Sequence, residues 1–370
     1  MSKARGLADL GNQVDDGAIT GSNMVVNGAM QVAQRGTSST SSGFQTVDRF
    51  KSGTQTIGIT QSQESITSGA PFEEGFLDYY RQTVTTPSSA SNVIIEIKHS
   101  IEAQNIAGSG WNFKSASKSL TLSFYVRSSV SGTYYSYIRN TDASPEQFYR
   151  FSFVLSANTW TKVEKTIAGN SNLVFSNDNG EGLAIFWVPA FGSDYTGSSV
   201  NLDQWETLTG SDYIPDITHA WGNTSGATFD LTGVQLELGD TATPFEHRSY
   251  GDELARCQRY FQKSYNQSTA SGTATHLGSR SSGGNAAANT TGEIGGYFPF
   301  IVAKRVAPSV TIWDQSGNQG KTTISLYGTG TTANQTSSVS NISETVFFVS
   351  RSSGSNATEL YVQFAADAEL

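Results

Sequence analysis

From Asn23 to Tyr250 apolar residues return at every second position in short runs, and a helical repeat is almost nowhere to be found. In residues 119–126 (SLTLSFYV), Leu120, Leu122, Phe124 and Val126 alternate with Ser119, Thr121, Ser123 and Tyr125. In residues 148–155, Tyr149, Phe151, Phe153 and Leu155 share one side. This is the period of a strand with one face buried. Residues 93–97, 133–138, 160–167 and 183–188 extend the series between Gly, Asn and Ser turns. Many short strands so spaced predict an all-β, antiparallel β-sandwich, not a parallel sheet with crossover helices.

One strand changes phase. Phe229 and Leu231 share one parity, whereas Val234, Leu236 and Leu238 share the other. Both sets can face inward only if a residue is inserted, and Thr232–Gly233 is the natural place for a bulge. Gly239 and Asp240 then end the strand, and Pro244 keeps the next segment extended. The stretch 23–49, NMVVNGAMQVAQRGTSSTSSGFQTVDR, reads as the opening strand of the sandwich that 232–238 closes.

Residues 252–263 predict one linking helix. Ser249 or Asp252 caps it, Asp252 and Glu253 occupy its first turn, and Leu254, Cys257 and Phe261 form a helical stripe. Cys257, the sole cysteine, reads there as a small buried apolar residue. Beyond it, apolar runs at 297–302, 309–314, 322–326, 345–349 and 360–364 predict a second, smaller β-sandwich, with polar loops at 267–289 and 328–341. The expected organisation is a leader (1–22), a β-sandwich (23–250), a linking helix (251–264) and a C-terminal β-domain (265–370). In the leader Leu7 and Leu10 fall on one side of a short helix that could order only against a partner.

Several function classes are disfavoured. With 23 Lys and Arg against 32 Asp and Glu, the net charge of −9 and the lack of a basic run argue against nucleic acid. No apolar run reaches membrane-spanning length, so no membrane insertion is expected. The start has no apolar signal segment, and one cysteine permits no intrachain disulfide; both fit folding in a reducing cytoplasm. His99, His219, His247 and His276 lie far apart without metal-ligand spacing, and no nucleophile elbow is present. The acid pairs Glu73–Glu74 and Asp178–Glu181 sit in turn-like phrases, so no catalytic residue and no enzyme activity are expected. Asp178, Asn179 and Glu181 could offer oxygens to a structural calcium, the one cofactor the chain hints at, but an Asn-Gly turn explains the same letters and is preferred. Trp111, Trp205 and Trp221 fall in loop-like phrases and are the candidates for stacking on a ligand ring, with packing under a loop as the bland alternative.

Over 23–49 and 232–261 the chain resembles the jelly-roll modules of bacteriophage virion proteins, particularly tail-fibre and fibre-like proteins of marine phages. Carbohydrate-binding modules of jelly-roll type have a similar layout and often open with Asn-x-x-x-Asn-Gly, which Asn23, Asn27 and Gly28 supply. The resemblance implies a virion structural protein folded in the host bacterial cytoplasm. It implies a fibre-like appendage, a homotrimer, that joins other tail or head proteins through its N-terminus, with Leu7 and Leu10 at the docking point, and meets a host-surface glycan. A head decoration or tail adaptor without a receptor role is the competing expectation, and a glycan depolymerase the third.

Overall fold

The computed structural model describes residues 23–283, 292–326, 330–353 and 357–370. The leader, with Leu7 and Leu10, lies outside the described residues, as do parts of both polar loops. Among the described residues, contacts divide the chain into two units: residues 23–32 with 37–250, and residues 33–36 with those beyond 250.

The first unit is an antiparallel sandwich. Its strands are β1 (Ser38–Ser39), β2 (Phe50–Gln55), β3 (Gly58–Ser65), β4 (Asp78–Thr86), β5 (Ile94–Glu102) and β6 (Ser119–Ser128). They continue with β7 (Gly132–Asn140), β8 (Gln147–Leu155), β9 (Thr161–Ala168), β10 (Glu181–Phe191), β11 (Trp205–Thr207) and β12 (Thr228–Leu238). Two short helices, α1 (Ala70–Glu73) and α2 (Ala103–Ala107), sit in the connections. One sheet runs β1-β3-β4-β12-β6-β9 and the other β11-β8-β7-β10-β5-β2. Between them Phe50, Phe124, Phe151, Trp187, Phe229 and Leu236 form the main core.

Strand β10 is buried along almost its whole length because the second sheet has apolar partners on both faces. Ile185 and Trp187 point into the main core, while Ala184, Phe186 and Val188 pack on the outer side with Phe191 and Ile214. Tyr195, Leu208, Tyr213 and Ile217, all from the long connection after β10, cover that outer cluster. A strand buried on both faces loses the polar half of its alternation, which is why LAIFWV reads as a continuous run.

The bulge in β12 is where the phase change requires it. Register slips between Thr232 and Gln235 against β6, and Gly233 adopts φ 62°. A Cβ on Gly233 would stand 2.8 Å from the Phe76 ring, so Gly meets two demands at once. After the slip Val234 and Leu236 join Phe229 and Leu231 in the core. The opposite face of β12 is polar yet buried, with Asp230, Thr232, Gln235 and Glu237 all nearly inaccessible. The extended segment around Pro244 satisfies the last two. Thr243 donates its backbone N–H to Glu237 Oε1 (2.9 Å), and the Glu246 N–H donates to Gln235 Oε1 (2.8 Å).

The opening stretch is not the strand expected of it: residues 23–37 form no strand, and β12 pairs with β4 and β6. The Asn-rich phrase is instead stapled onto the bulge by side chains and isolated backbone bonds. Asn23 Nδ2 donates to the Val234 carbonyl (3.0 Å), while its Oδ1 accepts the N–H groups of Val25 (2.9 Å) and Leu236 (3.1 Å). Asn27, held at φ 64°, bonds Val32 through both ends of its amide and donates to Asp48. From the other side Arg248 donates to the Val25 carbonyl (3.1 Å). The Asn-x-x-x-Asn-Gly phrase is therefore a backbone clamp, and none of its polar atoms just described is left for a ligand.

The second unit has one sheet of β13 (Phe261–Lys263), β14 (Arg280–Gly283), β16 (Ser309–Trp313), β17 (Lys321–Leu326), β18 (Gly330–Thr336) and β21 (Ala357–Asp367). Its three-stranded partner has the order β15 (Gly292–Pro299), β20 (Val346–Ser353), β19 (Ser338–Ser340). Phe298, Phe300, Phe347, Leu360 and Phe364 fill the core. Helix α3 spans Tyr250–Gln258 and buries Cys257, as expected. Its predicted extension to Lys263 is corrected: Phe261–Lys263 is a strand paired with Asp367–Ala365. The i, i+3, i+7 spacing of Leu254, Cys257 and Phe261 imitates one helix across a turn. The Phe261 ring in fact packs beneath the Arg35 guanidinium, 3.7 Å away, and Arg35 also pairs with Asp367 (2.9 Å).

Lys304 gives this unit a pH signature. It is 1% exposed, its ammonium donates to the Gln258 carbonyl and to Gln262 Oε1 (2.8 Å), and burial pushes its pKa down to about 7. Between that value and the ordinary 10.5 the unfolded chain binds the proton and the folded one releases it. Stability therefore rises with pH across this window and is flat with respect to Lys304 below it. Denaturant unfolding of the second unit should show a gain on the order of 3 kcal/mol from pH 7 to pH 9.5. Lys304→Met should remove the gain; an equal slope in the variant would show that another group causes it.

Candidate functional site

Of the three tryptophans expected to offer a ring, only Trp205 is partly open. Trp221 is wholly buried and donates its indole N–H to the Thr228 carbonyl (2.9 Å). Trp111 is 4% exposed, bonds the Lys118 carbonyl (3.2 Å) and packs near Phe113 and Phe175. Neither presents a ring face to solvent, so the stacking role expected of them is withdrawn. Both stand in loop-like sequence, but the loops fold back over the core, which short-range pattern does not reveal.

Trp205 opens β11, which adds an outer strand to β8 with Trp205 opposite Tyr149 and Thr207 opposite Gln147. Its Nε1 donates to the Ala168 carbonyl (2.8 Å), and its ring meets Tyr149 edge-on at 5.5 Å. These two contacts fix the indole plane. It forms one wall of a cleft of about 470 Å³, with Gln147, Arg150, Asn201, Glu206 and Asp212 among the other lining residues.

The polar groups of the cleft are held in place by one another. Arg150 is 2% exposed, donates from Nε to the Tyr213 carbonyl (2.7 Å) and lies 3.7 Å from Glu206 Oε2. Burial lowers the Arg150 pKa from its very high ordinary value. Glu206 Oε1 accepts amide N–H groups from Asn201 and Gln204, both at 2.6 Å. The Asp203–Lys165 pair (2.5 Å) and the bond from the Asp203 N–H to the Arg150 carbonyl (2.7 Å) anchor the turn leading into β11. In the register Trp205 lies with Tyr149 on one face of the sheet, and Glu206 with Phe148 and Arg150 on the other. The cleft therefore wraps the edge strand β11 and offers an apolar ring and polar groups to a ligand with an apolar face and several hydroxyls. The sequence named Trp205 together with Trp111 and Trp221; Arg150 was legible only as a strand residue, and Gln147 lay just outside the run read as that strand.

The calcium candidates do not fit a metal. Glu181 is committed to Lys98 (2.5 Å), Arg139 (3.0 Å) and the Ser100 hydroxyl (2.5 Å). Opposite charges within reach hold its carboxyl below the usual range against the effect of burial. Asp178 Oδ1 accepts the Gly180 N–H (2.8 Å), closing the turn expected of Asn179–Gly180. Among the described residues no group of three or more His, Cys, Asp or Glu could hold a metal ion. In the other acid pair Glu74 accepts the Tyr125 hydroxyl (2.6 Å) and lies 3.6 Å from Lys162, while Glu73 is exposed. Among the described residues no helix is long and apolar enough to cross a membrane.

The fold thus defines a chain of all-β sandwich domains. No family model and no curated protein matches it. Among solved structures it is similar to the enzymatically active domain of tailspike protein 4 of bacteriophage CBA120, at 10% identity and a TM-score of 0.32, over 59% of this chain and 21% of that one. It is similar to the family 11 carbohydrate-binding module of the cellulase Lic26A-Cel5E of Clostridium thermocellum, at 12% identity and 0.28, over 58% and 99%. The CBM22-1 xylan-binding domain of Paenibacillus barcinonensis Xyn10C follows at 9% and 0.27, over 55% and 94%.

Proposed function

We propose that this chain is a bacteriophage virion protein, a fibre or fibre-like appendage that binds a host-surface glycan at the Trp205 cleft without cleaving it. The carrying observation is the half-buried indole, fixed by Ala168 and Tyr149 in the wall of a cleft that also holds preset polar groups. The virion setting rests on the resemblance of residues 23–49 and 232–261 to phage jelly-roll modules. In this reading the leader docks to other tail or head proteins and the chain works as a homotrimer. Stacking that removes roughly 100 Å² of apolar surface contributes about 2–3 kcal/mol, and each hydrogen bond about 1 kcal/mol. One cleft then binds near the millimolar range, and several copies on one particle raise the avidity.

Purified full-length protein should adsorb to host cells and compete with infection. Trp205→Ala should weaken soluble glycan binding at least tenfold by calorimetry, while Trp205→Phe, which keeps an aromatic wall, should lose less. Release of reducing sugar from host polysaccharide would favour a depolymerase. Protein that neither adsorbs nor blocks infection would favour a head decoration or tail adaptor.

A further inference from the structure

The second unit carries an aromatic surface that the cleft reading does not use. On the outer face of its three-stranded sheet, Tyr297 of β15, Phe348 of β20 and Ser340 of β19 stand side by side in register. Tyr297 is 61% exposed, and its ring lies 4.8 Å from that of Phe348 at a tilt of 47°. The next row holds Gly295, Ser350 and Ser338, and the row on the other side Pro299 and Val346. Gly295 matters here because a Cβ would stand 2.7 Å from Phe348 Cζ, so its absence lets that ring lie down across the sheet. Asn341 donates its amide to the Tyr297 hydroxyl at 3.4 Å. None of these three rows contains a charged side chain.

We infer that Tyr297 and Phe348 form a second carbohydrate platform, one that takes a neutral sugar ring by stacking, with Asn341 and Ser340 supplying hydrogen bonds at its rim. Size and chemistry select this occupant. Two aromatic side chains of about 200 Å² each, even with the smaller Pro299 and Val346 beside them, fall short of the ~800 Å² per partner that a stable protein interface buries. Hydroxyl and amide neighbours with no charge match a sugar better than an acidic or basic peptide. The inference goes beyond the cleft and does not require it.

The test uses the full chain with the cleft disabled by Trp205→Ala, probed by saturation-transfer NMR with maltohexaose, cellohexaose and mannohexaose at millimolar concentration. At least one oligomer should still receive transfer, adding Tyr297→Ala should reduce that binding at least tenfold, and adding Tyr297→Phe should retain it. No transfer to any of the three from Trp205→Ala protein, or equal transfer with and without Tyr297→Ala, would overturn the platform. So would a fall in oligomer mass on Tyr297→Ala without any change in sugar binding, which would make the face a contact between copies. The cleft is judged separately, by wild type against Trp205→Ala.

Discussion

Replacing Gly28 by Ala should cost the first unit about 4 kcal/mol, a very large effect for one methyl group. The Gly28 carbonyl accepts the Val234 N–H at 3.0 Å in the middle of the β12 bulge. A Cβ at position 28 would fall well inside 3.0 Å of the Val234 carbonyl oxygen, and that oxygen is backbone. It cannot swing aside like a side chain. It is also the acceptor of Asn23 Nδ2, so displacing it breaks the clamp between the opening and closing segments. Gly251→Ala is the control, since a Cβ there meets nothing within 4 Å. Denaturant unfolding of both variants decides the matter: a Gly28→Ala midpoint indistinguishable from wild type would show that the clamp can give way to a methyl group without loss.

Asp230→Ala should destabilise the first unit by about 3–5 kcal/mol. Asp230 has a fully buried side chain and sits directly opposite Arg81 on β4 and Arg127 on β6. Arg81 grips both carboxylate oxygens, at 2.7 and 2.9 Å, and Arg127 approaches Oδ2 at 2.8 Å. The guanidiniums are three-quarters buried, with Trp160 4.5 Å from Arg127 and Tyr79 5.1 Å from Arg81. Removing the carboxylate strands two like charges in a poorly solvated place. The triple change Arg81→Met, Asp230→Leu, Arg127→Met should recover most of the loss, because an apolar layer needs no partner. A single Asp230→Ala loss below about 1 kcal/mol would show instead that water already screens the cluster, as at an exposed ion pair.

Much of the sandwich was legible because burial of one face leaves a period of two. Leu120 to Val126 and Tyr149 to Leu155 declare themselves this way, and the parity break at Thr232–Gly233 located the bulge. Strand β3 was not legible. Its letters, GITQSQES, look like a loop, yet Gln61 is wholly buried. The Gln61 amide donates to the Ser41 carbonyl (2.5 Å), and its oxygen accepts the hydroxyls of Thr46 and Tyr80. A glutamine with all its partners supplied by distant segments can stand in a core, and no local pattern announces that. The end of α3 was missed for a related reason. Phe261 keeps the helical spacing, while its environment is set by Arg35, far earlier in the chain.

By itself the sequence determined the all-β class, the antiparallel strands, the bulge and the burial of Cys257. These follow from periodicity and backbone conformation, which are local. The opening stretch, read as a strand, turned out to be an irregular clamp on β12. Only the tertiary structure decided which tryptophan keeps an open ring, which acids are spent on cations, and that Tyr297 and Phe348 share an uncovered face. Exposure is set by what other segments lay over a residue. Trp221 and Trp205 stand in equally polar phrases, but one is enclosed beneath β12 and its neighbours while the other lies at a sheet edge with a cleft beside it.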